Sequence, residues 1–220
     1  MDYDQSHPFL RGARHTQAEP EWGGQEDAAA QLRATSILAL VQCTDLGRAE
    51  ILRHLVGGLT DSADPVRIEA VRAIGQMDGE EARLLLRLKA RSGDRRPLVT
   101  GRVFDALLNL EPDRAIGFVT EYLKSIDIRD EATLSLGASR LPEAVTILTE
   151  TWHQVHDLDF KDVLLRSLSS SRRESAIDFL LDVVRSGLSQ DATQALDALR
   201  LHDQSEQIQA MVEEARRERE

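Results

Sequence analysis

The 220-residue sequence is short of cysteine, aromatics, positive charge and long apolar runs, and each shortage removes a class of answers. With Cys43 alone there is no intramolecular disulfide, and in a helical setting this residue reads as a small buried side chain. No stretch approaches the ~18 apolar residues that would cross a bilayer. The opening MDYDQSHPFLRG lacks the basic-then-apolar order of a signal sequence, so a cytoplasmic protein is expected. Lys and Arg number 27 against 38 Asp and Glu, a net charge of −11. That balance disfavours non-specific attraction to nucleic acid or an anionic membrane. The deficit is lopsided. Residues 1–110 carry 14 basic and 16 acidic side chains, whereas 111–220 carry 13 and 22. Aromatics make up only 4%, while 41% of the chain is hydrophobic, which suits close packing of Ala, Leu, Val and Ile between helices.

What the chain has instead is repetition. Residues 59–92, LTDSADPVRIEAVRAIGQMDGEEARLLLRLKARS, read as a turn, a helix, a tight turn and a second helix. Asp64 can cap the first helix and Pro65 suits its first turn, where an N–H is dispensable. Val66, Ala70, Val71, Ala73, Ile74 and Met77 then follow the three-four spacing of one helix face. Gly79 tolerates the turn, with Asp78 as a turn acceptor, and Ala82, Leu85, Leu86 and Leu88 recur in the second helix. The pattern around Ala82 returns at Ala49, Ala115, Ala144, Ala176 and, more faintly, Gln207, at spacings of 33, 33, 29, 32 and 31 residues. Nine residues before each anchor stand Leu40, Ala73, Ala106, Ser135, Ser167 and Ala198; eight before stand Val41, Ile74, Leu107, Leu136, Leu168 and Leu199. A small residue followed by a large one, held in register, marks stacked helix pairs that bury their faces against neighbours.

The segment Leu59–Arg67 (LTDSADPVR), followed by Ala70, Ala73-Ile74 and Asp78, resembles a HEAT repeat of the short PBS-lyase-like type. The match is specific in that unit and architectural in the others. The resemblance implies an all-α, right-handed α-solenoid of about six HEAT-like helical hairpins over residues 26–220, with a concave surface lined by the second helices. Members of the family are mostly interaction scaffolds, with some bilin lyases, an iron hydroxylase and DNA-glycosylase relatives. The paired His-Glu motifs of the hydroxylases are absent here.

Residues 1–25 hold Pro8, Pro20, Gly12, Gly23 and Gly24 without a helical period, and read as a flexible or extended arm, or a disordered leader. After them the helix pairs are expected at 26–41 with 48–56, 64–76 with 80–92, 102–110 with 112–124, 130–139 with 142–156, 159–169 with 173–186, and 190–201 with 205 to the end. Gly57-Gly58 is expected to stop the second of these helices, and the polar last helix suits a cap.

The second helices repeat one charge pattern. Six residues past the anchor stand Glu121, Glu150, Asp182 and Glu213; nine past stand Lys124, His153, Arg185 and Arg216. This is either a solvated row of weak ion pairs or a striped binding surface. In the second unit Leu88 replaces the acid and Arg91 keeps the base. From Arg83 to Arg102 seven basic residues face one acid, Asp94. Such a run can meet an acidic partner segment, a phosphate, or the chain's own acidic half. It lacks the interleaved aromatics that stack nucleic-acid bases. Trp152 falls in a core column, and Tyr122 beside it fits either core or surface. His153, His156, Asp157 and Asp159 have only a superficial metal-ligand spacing, without a third element to complete it. Glu80-Glu81 reads as a helix N-terminus, not an acid/base pair. No P-loop, GxGxxG or Ser-His-Asp signature is present.

The expectation is therefore a non-catalytic interaction scaffold, without cofactor or metal, that binds a protein with an acidic segment and can belong to a larger complex. Its expected contact residues are Arg83, Arg87, Arg91, Lys124, His153 and Arg185. The alternative is a lyase- or chaperone-like subunit that handles a tetrapyrrole chromophore on a client protein.

Overall fold

The computed structural model describes residues 28–42 and 46–219; the arm over 1–25 and Cys43 lie outside the described residues. Among the described residues the regular elements are all helical. Among the described residues the fold is an all-α helical-repeat fold. By contacts the chain divides into two compact units, Met1–Met77 and Asp78–Glu220.

In the first unit lie α1 (28–42), α2 (Arg48–Leu59) and α3 (Asp64–Gly75). Gly57-Gly58 does not stop α2, which continues to Leu59. Gly58 is buried, and a Cβ there would fall 2.6 Å from Ile37 and 2.9 Å from Ala70. The glycine is a point of close approach between helices. Nor does Asp64 cap α3: it is the first helical residue, and Ala63 holds the cap position. Arg67 ties the preceding loop instead. It is 3% exposed, donates to the Asp61 and Ser62 carbonyls at 2.9 and 3.1 Å, and meets Asp64 at 2.5 Å. A guanidinium buried this deeply needs all of these acceptors. This gives the Asp-Pro-Val-Arg motif its physical meaning.

The second unit contains α4 (Glu80–Ser92), α5 (Pro97–Leu110), α6 (Pro112–Thr120) and a 3₁₀ turn, Glu121–Lys124. It continues with α7 (Arg129–Ser139), α8 (Pro142–Gln154), α9 (Leu158–Ser170), α10 (Glu174–Ser186), α11 (Ser189–Leu199) and α12 (Glu206–Arg219). Gly79 precedes α4 with φ of 112°, where a side chain is disfavoured. Proline lies in the first turn of α5, α6 and α8. Helix α5 begins at Pro97, five residues before the expected Arg102, and runs through Gly101. That glycine accommodates Glu131 of α7, whose Oε2 would lie 2.6 Å from a Cβ. A single residue, Glu111, joins α5 to α6.

Two layers result. Helices α5, α7, α9 and α11 stack in succession as the first-helix layer, while α6, α8, α10 and α12 form the second-helix layer. Leu107, Leu136, Leu168, Val184 and Leu199 fill the space between them. Within the first layer the small-residue column has a function. Buried Ser135 donates to the Gly101 carbonyl at 3.1 Å, and buried Ser167 to the Thr133 carbonyl at 2.5 Å. A Cβ on Gly137 would fall 2.3 Å from the Ser167 carbonyl oxygen, so only glycine fits there. The helices touch backbone to backbone, and hydroxyls satisfy the contact.

Candidate functional site

The second-helix layer is bridged by long side chains. Arg87 pairs with Glu111 at 2.7 Å and also donates to the Arg114 carbonyl at 3.3 Å. Arg91, one turn further along α4, pairs with Glu121 at 2.8 Å. Both guanidiniums lie 4.8 Å from the centre of the Phe118 ring, and Arg91 is 5.7 Å from that of Tyr122. Tyr122 packs against Phe104 at 4.8 Å and Phe118 at 5.4 Å. Burial pushes its hydroxyl up from the ordinary tyrosine range, against an opposing pull from Arg91. That hydroxyl is buried beside the Arg91 guanidinium. Arg83, at the start of the stripe, lies 3.6 Å from Glu80. It also lines an open groove of about 430 Å³ with Leu110, Glu111, Pro112, Asp113 and Arg114.

The two principal ion pairs differ in kind. The side chains of Arg87 and Glu111 are 28% and 9% exposed, so neither can be removed without stranding the other. Arg91 and Glu121 are each 58% exposed. Water competes for both, and such a pair exchanges readily. Around them Lys89 meets Asp94 at 2.7 Å and Arg102 meets Asp105 at 3.2 Å. Thus the dense basic run is answered from inside the molecule. Glu111 and Glu121, which take Arg87 and Arg91, come from the acidic half of the chain.

The other expected contact residues are placed apart from this cluster. The acid-base spacing of the second helices closes into ion pairs in α10, Asp182–Arg185 at 2.9 Å, and α12, Glu213–Arg216 at 3.0 Å. Arg185 also reaches Glu218 at 2.6 Å, and both acids raise its pKa further. In the 3₁₀ turn the geometry changes: Glu121 turns to Arg91, and Lys124 is exposed with no ion pair among the described residues. His153 stacks edge-on against Trp152 and Phe179, at 5.2 and 5.7 Å. Trp152 is buried, with Phe179 at 5.5 Å and the Lys161 ammonium 4.2 Å from its ring centre.

Helix α8 ends at Gln154, before His156. Asp157 caps α9, accepting from the Asp159 and Phe160 amides at 3.1 and 3.2 Å, and pairs with Arg129, which holds its carboxyl below the usual range. Among the described residues no group of three or more His, Cys, Asp or Glu side chains could hold a metal ion.

Two leucines complete the surface. Leu84 and Leu88 of α4 are 57% and 63% exposed. With Arg87 and Arg91 they occupy positions three and four apart on one helix face. The spacing places Leu88 among the apolar residues of the second helix and also in the acid's position of the charge ladder; the structure has it exposed. A helical-wheel count that placed Ala82, Leu86 and Ala90 inward would have put it outside. No family model matches the chain, and no curated protein matches it.

Proposed function

We propose that the protein is a HEAT-like repeat scaffold of the short PBS-lyase-like type. In this reading it binds another protein, without catalysis, through its second-helix layer. The observation that supports this is the outward face of α4. Two leucines and an exchangeable arginine stand in solvent there, beside aromatic rings that already support the guanidinium. Apolar area ringed by charge is the usual makeup of a protein-binding patch, with arginine and aromatics as its strongest contributors. Charge sets the choice of partner and the rate of encounter more than the final affinity. Lys124, exposed and unpaired among the described residues, extends the positive field along the same layer.

The test is affinity capture from the native lysate at low and moderate salt. The wild-type chain is expected to retain a stoichiometric protein that leaves as salt rises, and the Arg91→Glu, Lys124→Glu double variant is expected to retain far less. If the wild type captures no protein at low salt, the scaffold reading fails.

A further inference from the structure

The outer surface of α6 carries an oddity that internal packing does not explain. Gly117 lies mid-helix and exposed, one turn before Glu121, and a Cβ built on it would meet nothing within 4 Å. Glycine in a helix interior costs ~1 kcal/mol relative to alanine. The close approaches at Gly58 and Gly137 account for those glycines; at Gly117, as at Gly57 of α2, a Cβ would meet nothing within 4 Å beyond its own helix backbone.

The ion pairs tie this bare spot to the leucines of α4. Arg91 reaches Glu121, one turn beyond Gly117, while Arg87 donates to the carbonyl of Arg114, three residues before it. Leu84 and Leu88 stand next to those two arginines on the α4 surface. The face is thus a strip of exposed leucines on one helix, a bare backbone patch on the next, and arginines between them.

We infer that this strip is the docking site for an acidic amphipathic helix of a partner protein, and that Glu121 is the built-in counter-ion such a helix displaces from Arg91. The inference rests on the scaffold reading above and names its partner's chemistry. Three features select the occupant. No strand edge exists among the described residues, so an extended peptide would find no backbone to pair with. Leucines spaced i, i+4 form a ridge that a second helix receives between its own ridges, and glycine on the neighbouring helix allows the close approach. The cations bordering the strip take carboxylates by exchange: Arg91 from Glu121, Arg83 from Glu80, and Arg114 along a groove that Glu111 and Asp113 also line. The partner carboxylate would replace one exposed ion pair with another of the same kind, leaving the Arg87–Glu111 pair intact beneath it.

The probe is a fluorescein-labelled, lactam-stapled helical peptide with leucines at i, i+4 and i+7 and glutamates flanking them. Its control replaces every glutamate with lysine. Anisotropy titrations at low ionic strength are expected to show binding of the acidic peptide and none of the basic one. Leu84→Ser with Leu88→Ser should weaken binding at least about tenfold, and Arg91→Gln by a similar factor. Glu121→Gln should tighten it about two- to fivefold, because the competing carboxylate is gone. Gly117→Leu is the sharpest variant: it should raise the melting temperature, by helix propensity, while abolishing peptide binding.

Equal binding of both peptides, or indifference to the leucine and Gly117 substitutions, overturns the inference. So does a wild-type dimer in sedimentation that dissociates in the Leu84→Ser, Leu88→Ser variant, since the strip would then belong to a second copy. If lysate capture succeeds while the peptide fails, the docking site is wrong and the scaffold stands. If both fail, so does the scaffold.

Discussion

Within residues 78–220 the two helix layers are joined by opposite means. Helices of the first layer approach until backbone meets backbone, through Gly101, Gly137, Ser135 and Ser167. The second layer is spanned by Arg87 and Arg91 of α4, which reach Glu111 in the α5–α6 joint and Glu121 in the 3₁₀ turn, and by Arg185 of α10, which reaches Glu218 of α12. Short groups leave no room and no alternatives, so the first layer is rigid in register. Long charged groups leave solvent-filled space and can change partners. The fold concentrates fixed close packing on one side and exchangeable ion pairs on the other, without any change in secondary structure.

Substitutions that exchange these properties should follow that division. The largest effect is expected from Gly137→Val, which drives a side chain into the Ser167 carbonyl; a loss of ~3 kcal/mol or more should appear in chemical denaturation. Arg87→Glu comes next. It sets an acid against the largely buried Glu111 and removes the cation over Phe118, for a loss of ~2 kcal/mol by the same measurement. Ser167→Ala deletes one buried hydrogen bond, at ~1 kcal/mol. Arg91→Glu should leave the melting temperature nearly unchanged while the capture of partner fails. An equal loss of stability in Arg87→Glu and Arg91→Glu would erase the distinction between fixed and exchangeable pairs.

The smallest effect tests the first layer through pH. Glu131, pressed against Gly101, has its carboxyl pushed above the ordinary value near 4.5, by burial first and then by Asp105. The folded chain therefore holds this proton more tightly than the unfolded one. Its contribution favours folding at low pH and is lost as pH rises through and above that value. Subtracting the pH dependence of denaturation midpoints for Glu131→Gln from that of the wild type should reveal this slope. A flat difference would show the contact to be unstrained.

The repeat was legible because packing between layers demands a fixed volume pattern, and Ser135 and Ser167 fall where the small column required them. Helix ends were less so, since glycine signals both a break and a close approach. Gly57-Gly58 suggested a stop, and the helix expected from Arg102 left Gly101 outside, yet each glycine lies within a helix, and the spatial neighbours of Gly58 and Gly101 come from other helices. The cationic stripe was visible in α4, but its acids are 24 and 30 residues away, and no local spacing relates them. The second-helix ladder failed at Glu121 because the chain tightens there into a 3₁₀ turn, altering the side-chain direction that a uniform helix would give.

The one-residue joint at Glu111 has a mechanical consequence. Between α5 and α6 there is no slack, whereas four residues separate the 3₁₀ turn from α7, and another four separate α4 from α5. Under tension the longer connectors straighten first, and the α5–α6 pair moves as one stiff element. Because Glu111 is also the acid that holds Arg87, pulling that element away from α4 loads the ion pair directly. In a force-extension experiment the chain should lengthen in steps that begin at the four-residue connectors, with the α5–α6 pair among the last to open.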